Sequence, residues 1–442
     1  MGLDKRRVWI AAAVLMIASF AVACGSDSSG GSNGSGGGSG AKSVDTSTCG
    51  PVKGKGDYTI VSDLPLQGSS KHQTDQMNQA IEMVLEQHGW KAGDKTLQFQ
   101  ACDDSTAQLG SWDSATCSSN ANAYASTESV IGVLGTFNSG CAELEAPVLN
   151  QAPGGAVAMV SPANTWPGLT QKTKVPGEPD KYYPTGVRNY ARVIPADNFQ
   201  GPALALLAQD LGVKTVYIIN DKQAYGAGVA SYFEDAAKKL GITVLGNDAY
   251  NTKTGTNYQS LFQKIGGKHP DAIMVGGLIC ENGGQLIKDK VSVLGPNTGN
   301  VKLLLPDGFT TQSTIDDSGA DVAEGAFMSV GGVPVEELKG DGANFIKEFQ
   351  AKYNPDAVDP YTPYAAAAAE VLLKAIEASD GSRSSVVENL LNQDLTGTVL
   401  GDFSIDENGD TNQGSMTIDV AKGGKLQTYK VITPPADLVV TL

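Results

Sequence analysis

From Asp57 onward, short β-branched or apolar runs alternate with amphipathic stretches, and this alternation leaves few folds open to the chain. Tyr58–Val61 leads into a stretch whose Met77, Ala80, Ile81, Val84 and Leu85 recur at the three-to-four spacing of a buried helical stripe. Leu97–Ala101 precedes a helix near Trp112–Ala125, Val130–Leu134 precedes one near Ala142–Leu149, and Ala156–Val160 is the next strand. After a loop-rich stretch, Gly168–Pro184, the rhythm resumes. Strands at Thr215–Ile219, Ile242–Leu245, Ala272–Val275 and Lys302–Leu305 are separated by helices at Gly228–Leu240, Tyr258–Ile265 and Gly284–Val293. Repeated strand–helix units build parallel sheets covered by helices on both faces. The expected class is therefore α/β, with two doubly wound, flavodoxin-like lobes.

The N-terminus tells a different story. Lys5, Arg6 and Arg7 precede a mostly apolar run, Val8–Ala23, which is followed by Cys24 and then by Gly25–Gly40, built almost wholly of Gly and Ser. A basic start, a short apolar core and small residues before a break are the pattern of a secretory signal. The apolar run has 16 residues, fewer than the roughly 20 a spanning helix needs. Cys24 directly after such a site is the nucleophile for acylation, although Ala21 stands where lipoprotein sites usually carry Leu. Two or three acyl chains hold a protein stably at a membrane. The Gly/Ser run cannot bury anything and reaches roughly 20–25 Å as a flexible coil. Residues 1–23 are accordingly read as a signal peptide and 24–55 as a lipidated cysteine with a flexible linker, tethering an extracytoplasmic body to the membrane's outer face.

About 400 residues remain, too many for one core and enough for two domains. The formal charge is −16, and residues 1–23 carry +2, so the mature chain stands near −18. That surplus argues against nucleic acid and against anionic lipid heads. Five cysteines besides Cys24 (Cys49, Cys102, Cys117, Cys141 and Cys280) lack metal-site spacing, and the three histidines lie far apart. Disulfides are the expected use in an oxidising compartment. Cys102 ends a strand and Cys117 lies in the next helix, so Cys102–Cys117 is the favoured pair and Cys102–Cys141 its rival. No metal and no cofactor are expected. Walker and HExxH patterns are missing from the sequence, and no GxSxG stands as a nucleophile elbow at a strand-to-helix turn, so the enzyme classes they mark are set aside. Asp406–Asp410 has calcium-loop composition, but Gly409 comes too early for an EF-hand, and it reads as a turn.

In open α/β sheets ligands bind beyond the carboxyl ends of strands, where helix N-termini point. Six loops qualify: Leu64–Lys71, Gly135–Cys141, Ser161–Thr165, Asn220–Gly228, Gly276–Gly283 and Pro306–Thr310. Each is rich in Ser, Thr, Asn, Gly or acid, a composition that helix capping would also produce.

The motifs in these loops are Asp63-Leu-Pro-Leu-Gln-Gly68, Cys102-Asp-Asp-Ser105, Gly135-Thr-Phe-Asn-Ser-Gly140, Ser161-Pro-Ala-Asn-Thr165, Asp221-Lys-Gln-Ala-Tyr-Gly226 and Pro306-Asp-Gly308. Taken in order, they resemble the branched-chain amino-acid binding proteins of ABC transporters, among the type I periplasmic binding proteins. The resemblance implies a first lobe from 56–195 and 332–410, a second from 196–331 and 411–442, and a three-segment hinge between them. It implies no catalysis, an amino acid (branched-chain or otherwise aliphatic) as ligand, and ABC permease and ATPase subunits as partners. Ser139 would hold the ligand carboxylate, unless it merely caps its helix. Thr165, with Ala163 and Asn164, would meet the head group. Asp307 stands where the family usually has an ammonium-pairing Glu, and Tyr225 matches a tyrosine that covers the ligand. Asp197 matches an acid near the hinge, and Tyr361 and Tyr364 would lie at the cleft rim. Ser69 and Ile279 fall where relatives carry larger aromatics, so they would shape a different side-chain pocket; Trp166 either lines that pocket or packs beneath its loop. A short amide, urea or an aromatic acid is the alternative cargo, and sensing for a membrane receptor the alternative output.

Overall fold

The computed structural model describes residues 42–439. The signal segment, Cys24 and the Gly/Ser run lie outside the described residues. The first sheet takes strands β1 (Lys53–Gly54), β2 (Tyr58–Leu64), β3 (Lys95–Asp103), β4 (Val130–Gly135), β5 (Ala158–Ser161) and β6 (Tyr190–Arg192). The second takes β7 (Thr215–Asn220), β8 (Thr243–Ala249), β9 (Ala272–Gly276), β10 (Lys302–Leu305), β11 (Phe327–Gly331), β12 (Met416–Lys422) and β13 (Lys425–Ile432). Spatial order is β1-β3-β2-β4-β5-β6 in the first and β8-β7-β9-β10-β11-β12-β13 in the second. From β3 to β6 and from β8 to β11 the pairing is parallel, as the alternating pattern requires. β1 joins antiparallel to β3, and β12 and β13 extend the second sheet antiparallel.

The helices that matter for the site are α1 (Lys71–Gln87), α2 (Ser114–Ser126), α3 (Ser139–Asn150), α4 (Asp197–Asp210) and α5 (Ala224–Lys239). The stripe read from the sequence is the face α1 buries: Met77, Ala80, Ile81, Val84 and Leu85. Asp113 starts α2 by accepting the Thr116 N–H at 2.9 Å, which satisfies one orphan donor of the first turn. Between β11 and β12 the chain returns to the first sheet, where the helix Thr362–Ala378 buries Ala365–Ala369 in the same core as Ile60, Leu134 and Val160. The chain therefore passes between the two sheets three times: after β6, after β11 and before β12. Arg192, fully buried at the first passage, pairs with Asp410 at the third (Nε–Oδ1 2.8 Å). The Asp406–Asp410 segment is a turn, with Asp406 Oδ1 accepting the N–H groups of Asn408 and Asp410 at 2.8 and 2.9 Å.

Two expectations need correction. Linker character ends well before residue 55. Val44 is buried with its N–H donating to Gln100 Oε1 at 2.7 Å, and Lys53–Gly54 pairs with β3. The Cys102–Cys117 pairing also fails. Cys102 bonds Cys49, which lies opposite it as an antiparallel bridge, and Cys117 bonds Cys141. The physical reason is the same for both. The polar segment 42–55 has no periodicity of its own, yet it lies along the edge strand β3 and brings Cys49 to Cys102. Cys117 instead faces the start of α3, because α2 and α3 pack side by side. Cys280 is the unpaired cysteine among the described residues.

Candidate functional site

Each sheet reverses its winding direction once. In the first sheet the chain goes from β2 outward to β3, then back past β2 to β4; in the second it goes from β7 to β8, then back to β9. Ligands of doubly wound sheets bind at such switch points, beyond the strand ends. The loops 64–71 and 135–141 flank the first, and 220–228 and 276–283 the second. The two lobes touch along these edges. Tyr361 donates its hydroxyl to Asp307, Ser69 Oγ donates to Asp317 Oδ2 at 2.5 Å, and Lys174 meets Asp235 at 3.2 Å.

On the first lobe, Ser139 opens α3 and is 2% exposed, with its Oγ accepting the Trp166 N–H at 3.3 Å. Beside it the 161–166 loop is held from below. Arg192 Nη1 donates to the carbonyls of Asn164 and Trp166 at 3.0 and 2.9 Å. Asn164 Nδ2 donates to the carbonyls of Thr136 and Phe137, and its Oδ1 accepts from Tyr190. The Asn164 amide is therefore committed inside the lobe and braces the site from behind. Ala163 is buried, its N–H given to Ser161 Oγ at 3.1 Å. Thr165 differs: it is 1% exposed and its hydroxyl lies beside the Asp197 carboxyl without a well-formed hydrogen bond.

On the second lobe, Asp307 sits in the turn after β10. Tyr225 donates to its Oδ1 at 2.5 Å and also accepts the Gly308 N–H at 2.9 Å, so the tyrosine clamps both ends of the turn. The Asp307 N–H donates to Gln200 Oε1 at 3.2 Å. Burial raises the Asp307 carboxyl above its ordinary range, and the Tyr225 and Tyr361 hydroxyls oppose the rise. Asp197, at the start of α4, is fully buried, and neither carboxylate oxygen has a well-formed hydrogen bond. Burial pushes its carboxyl well up, and the nearby Asp307 charge adds to the effect against Thr165 and Arg192.

Buried polar atoms without partners are rare, because leaving one unmade costs about 1–3 kcal/mol. Here the Thr165 hydroxyl lies beside the Asp197 carboxyl, and the Gln200 amide nitrogen beside Asp307, without well-formed hydrogen bonds. Arg192 makes its ion pair with Asp410 and its other bonds with the loop and with the Thr170 hydroxyl. Two acids and a hydroxyl then face each other in a dry setting suited to an ammonium, while Ser139 at a helix N-terminus suits an anion.

Other candidates are placed differently. Ser69 reaches the second lobe at Asp317, whereas Ile279 packs with Phe309 and Leu286 and gives its N–H to the Gly308 carbonyl at 3.0 Å, supporting the Asp307 turn. Tyr364 is buried beside the passage at Gly332, and Trp166 packs across the lobes against Tyr232. Gln200 was missed from the sequence. Its signal was its place three residues after Asp197, on the same helical face.

Two doubly wound lobes, three passages between them and polar groups converging from both sides define a bilobal solute-binding protein. The chain belongs to the periplasmic binding protein family, whose model matches residues 59–425. A leucine-, isoleucine-, valine-, threonine- and alanine-binding protein of Pseudomonas aeruginosa is 25% identical over 263 residues, which span 59% of this chain and 64% of that relative. Among solved structures, a leucine-binding protein of Thermotoga maritima superposes with a TM-score of 0.72 at 22% identity, covering 85% of this chain and 99% of the other. A solute-binding protein of R. palustris in complex with benzoate superposes at 0.69 with 18% identity, covering 86% and 97%. These relatives are solute-binding proteins, not enzymes, which agrees with the reading from sequence. Since one fold accommodates both leucine and benzoate, the ligand has to be argued from side chains. Among the described residues, no helix is long and apolar enough to cross a membrane.

Proposed function

We propose that this protein captures an α-amino acid with an aliphatic side chain between its lobes and passes it to an ABC permease, whose ATPase supplies the energy. The observation that carries the reading is the buried pair Asp197 and Asp307, with the Thr165 hydroxyl beside them and no well-formed hydrogen bond on it. Such a pair is stable when a cation lies between its members. A ligand ammonium meets that need, and Ser139 takes the carboxylate. The aliphatic preference is supported by the names of the relatives and by Leu278, whose side chain lies against Gly308 and Tyr225 beside the Asp307 turn. Lipid attachment at Cys24 would keep the loaded protein beside its permease.

Calorimetry against leucine, isoleucine, valine, alanine, urea, short amides and benzoate tests the reading, with 4-methylpentanoate as leucine lacking its ammonium. Leucine or a close analogue should bind, and the deaminated acid should bind at least tenfold more weakly, about 1.4 kcal/mol. Equal binding of the two would remove the ammonium from the argument. The tether has its own test: Cys24→Ser should move the protein from the membrane fraction to the soluble one, and continued retention would refute lipid anchoring.

A further inference from the structure

Trp166 directly follows Thr165, and its indole reaches across to the second lobe at α5. Within the first lobe it is locked. Its Nε1 donates to Glu178 Oε1 at 3.0 Å, and Glu178 is held in turn by the Tyr182 hydroxyl at 2.8 Å, by the Thr173 hydroxyl and by Lys181 at 3.2 Å. Its backbone joins the binding loop, with N–H to Ser139 and carbonyl to Arg192.

The ring rests on α5. A Cβ at Gly228 would come within 2.4 Å of the indole carbons Cε3 and Cζ3. Tyr232, one turn further along the helix, meets the indole edge-on with ring centroids 6.4 Å apart. A glycine in a helix interior costs roughly 0.5–1 kcal/mol relative to alanine. What it provides here is a bare turn that admits the indole. Tyr225, three residues before Gly228, is the residue that clamps the Asp307 turn. One helix thus carries a ligand-side contact and the seat for an indole anchored in the opposite lobe.

We propose that Trp166 and Gly228 form a closure latch, in which the indole seats on α5 only when the lobes meet and so sets the population of the closed state. Affinity then depends on these residues through lobe position. This rests on the reading that closure accompanies ligand capture, but its test does not require that the ligand be an amino acid.

In a Cys280→Ser background, cysteines placed at Ser69 and Asp317 would trap the closed state by disulfide formation without ligand. Trapping rates under mild oxidant are compared for the wild-type latch, Gly228→Ala, Trp166→Leu and the double variant. The added methyl should slow trapping at least about fivefold, and the double variant should recover most of that loss because the smaller side chain makes room. The melting temperature of ligand-free Gly228→Ala should not fall below the wild-type value, because alanine favours the helix and the clash is met only on closure, whereas a merely structural seat would lower it. In parallel, calorimetry with leucine should show the same order of affinities. Equal trapping rates for wild type and Gly228→Ala, or losses that simply add in the double variant, would overturn the latch. Normal latch behaviour without leucine binding would overturn the proposed ligand instead.

Discussion

The two lobes share a winding pattern but present opposite chemistry to the cleft. The first offers hydroxyls at Ser139 and Thr165, on loops braced by Arg192 and Asn164 and beside two disulfides. The second offers acids, Asp197 and Asp307, clamped by Tyr225. Both disulfides among the described residues lie in the first lobe. On the proposed reading a dipolar ligand puts its carboxylate at Ser139 in the first lobe and its ammonium against Asp197 and Asp307 in the second, with Thr165 reaching across to the ammonium, so neither lobe alone satisfies it. The cross-linked lobe supplies a fixed receptor for one end, and the other lobe brings the counter-charge when it arrives. That is a physical route from ligand binding to a closed shape.

The largest effect should come from the cross-links. Cys49→Ala with Cys102→Ala should cost about 2–5 kcal/mol of stability, felt in the first lobe. Urea unfolding followed by hydrogen exchange in each lobe measures it, and an unchanged first lobe would remove rigidity from the contrast. Next is the division of the ligand's ends. Asp307→Ala should weaken leucine binding by about 1.5–3 kcal/mol, as expected for a bond to a charged group, and Thr165→Val by about 0.5–1.5 kcal/mol. A reversed order in calorimetry would make Thr165, not Asp307, the main holder of the ammonium.

Acidity should then act on binding and stability with opposite signs. Asp197 and Asp307 are both raised by burial, so acid protonates them earlier than ordinary carboxylates and leucine affinity should fall as pH drops below neutral. For the ligand-free fold, burial lifts Asp63 in the first lobe from 3.8 to about 6 and Glu281 in the second from 4.5 to about 7. The folded state holds those protons after the unfolded chain has lost them. Their contribution to stability is therefore lost as pH rises from about 4 to about 7. Melting of the ligand-free protein should be compared between wild type and an Asp63→Asn, Glu281→Gln double variant. A wild-type profile no steeper across this window than that of the double variant would contradict the assignment. The smallest effect belongs to the exposed interlobe pair: Lys174→Ala should change affinity by less than about 0.5 kcal/mol. A larger loss would show that closure depends on surface charge.

Much of the architecture was legible along the chain. The α1 stripe, the strand positions and the loops at strand ends follow from local periodicity, and burial in the fold repeats that periodicity directly. The motif loops containing Ser139, Thr165, Tyr225 and Asp307 could also be listed from sequence, because loops after parallel strands face one way. Gln200 could not, since its importance arises from the meeting of α4 with the turn after β10. Cys49 could not be paired with Cys102, because a polar segment without periodicity gives no sign that it will lie along β3. Trp166 was open between two roles until α5 showed a bare turn at Gly228.

What the sequence by itself determined is therefore the α/β rhythm, the apolar faces and the set of polar loops, all properties of residues close together in the chain. What only the tertiary structure decided is which of those loops meet: Asp197 with Asp307 and Thr165, Cys117 with Cys141, the indole of one lobe with the glycine of the other. These pairings join residues far apart in sequence, and their energies come from dry, three-dimensional contact that no local pattern encodes.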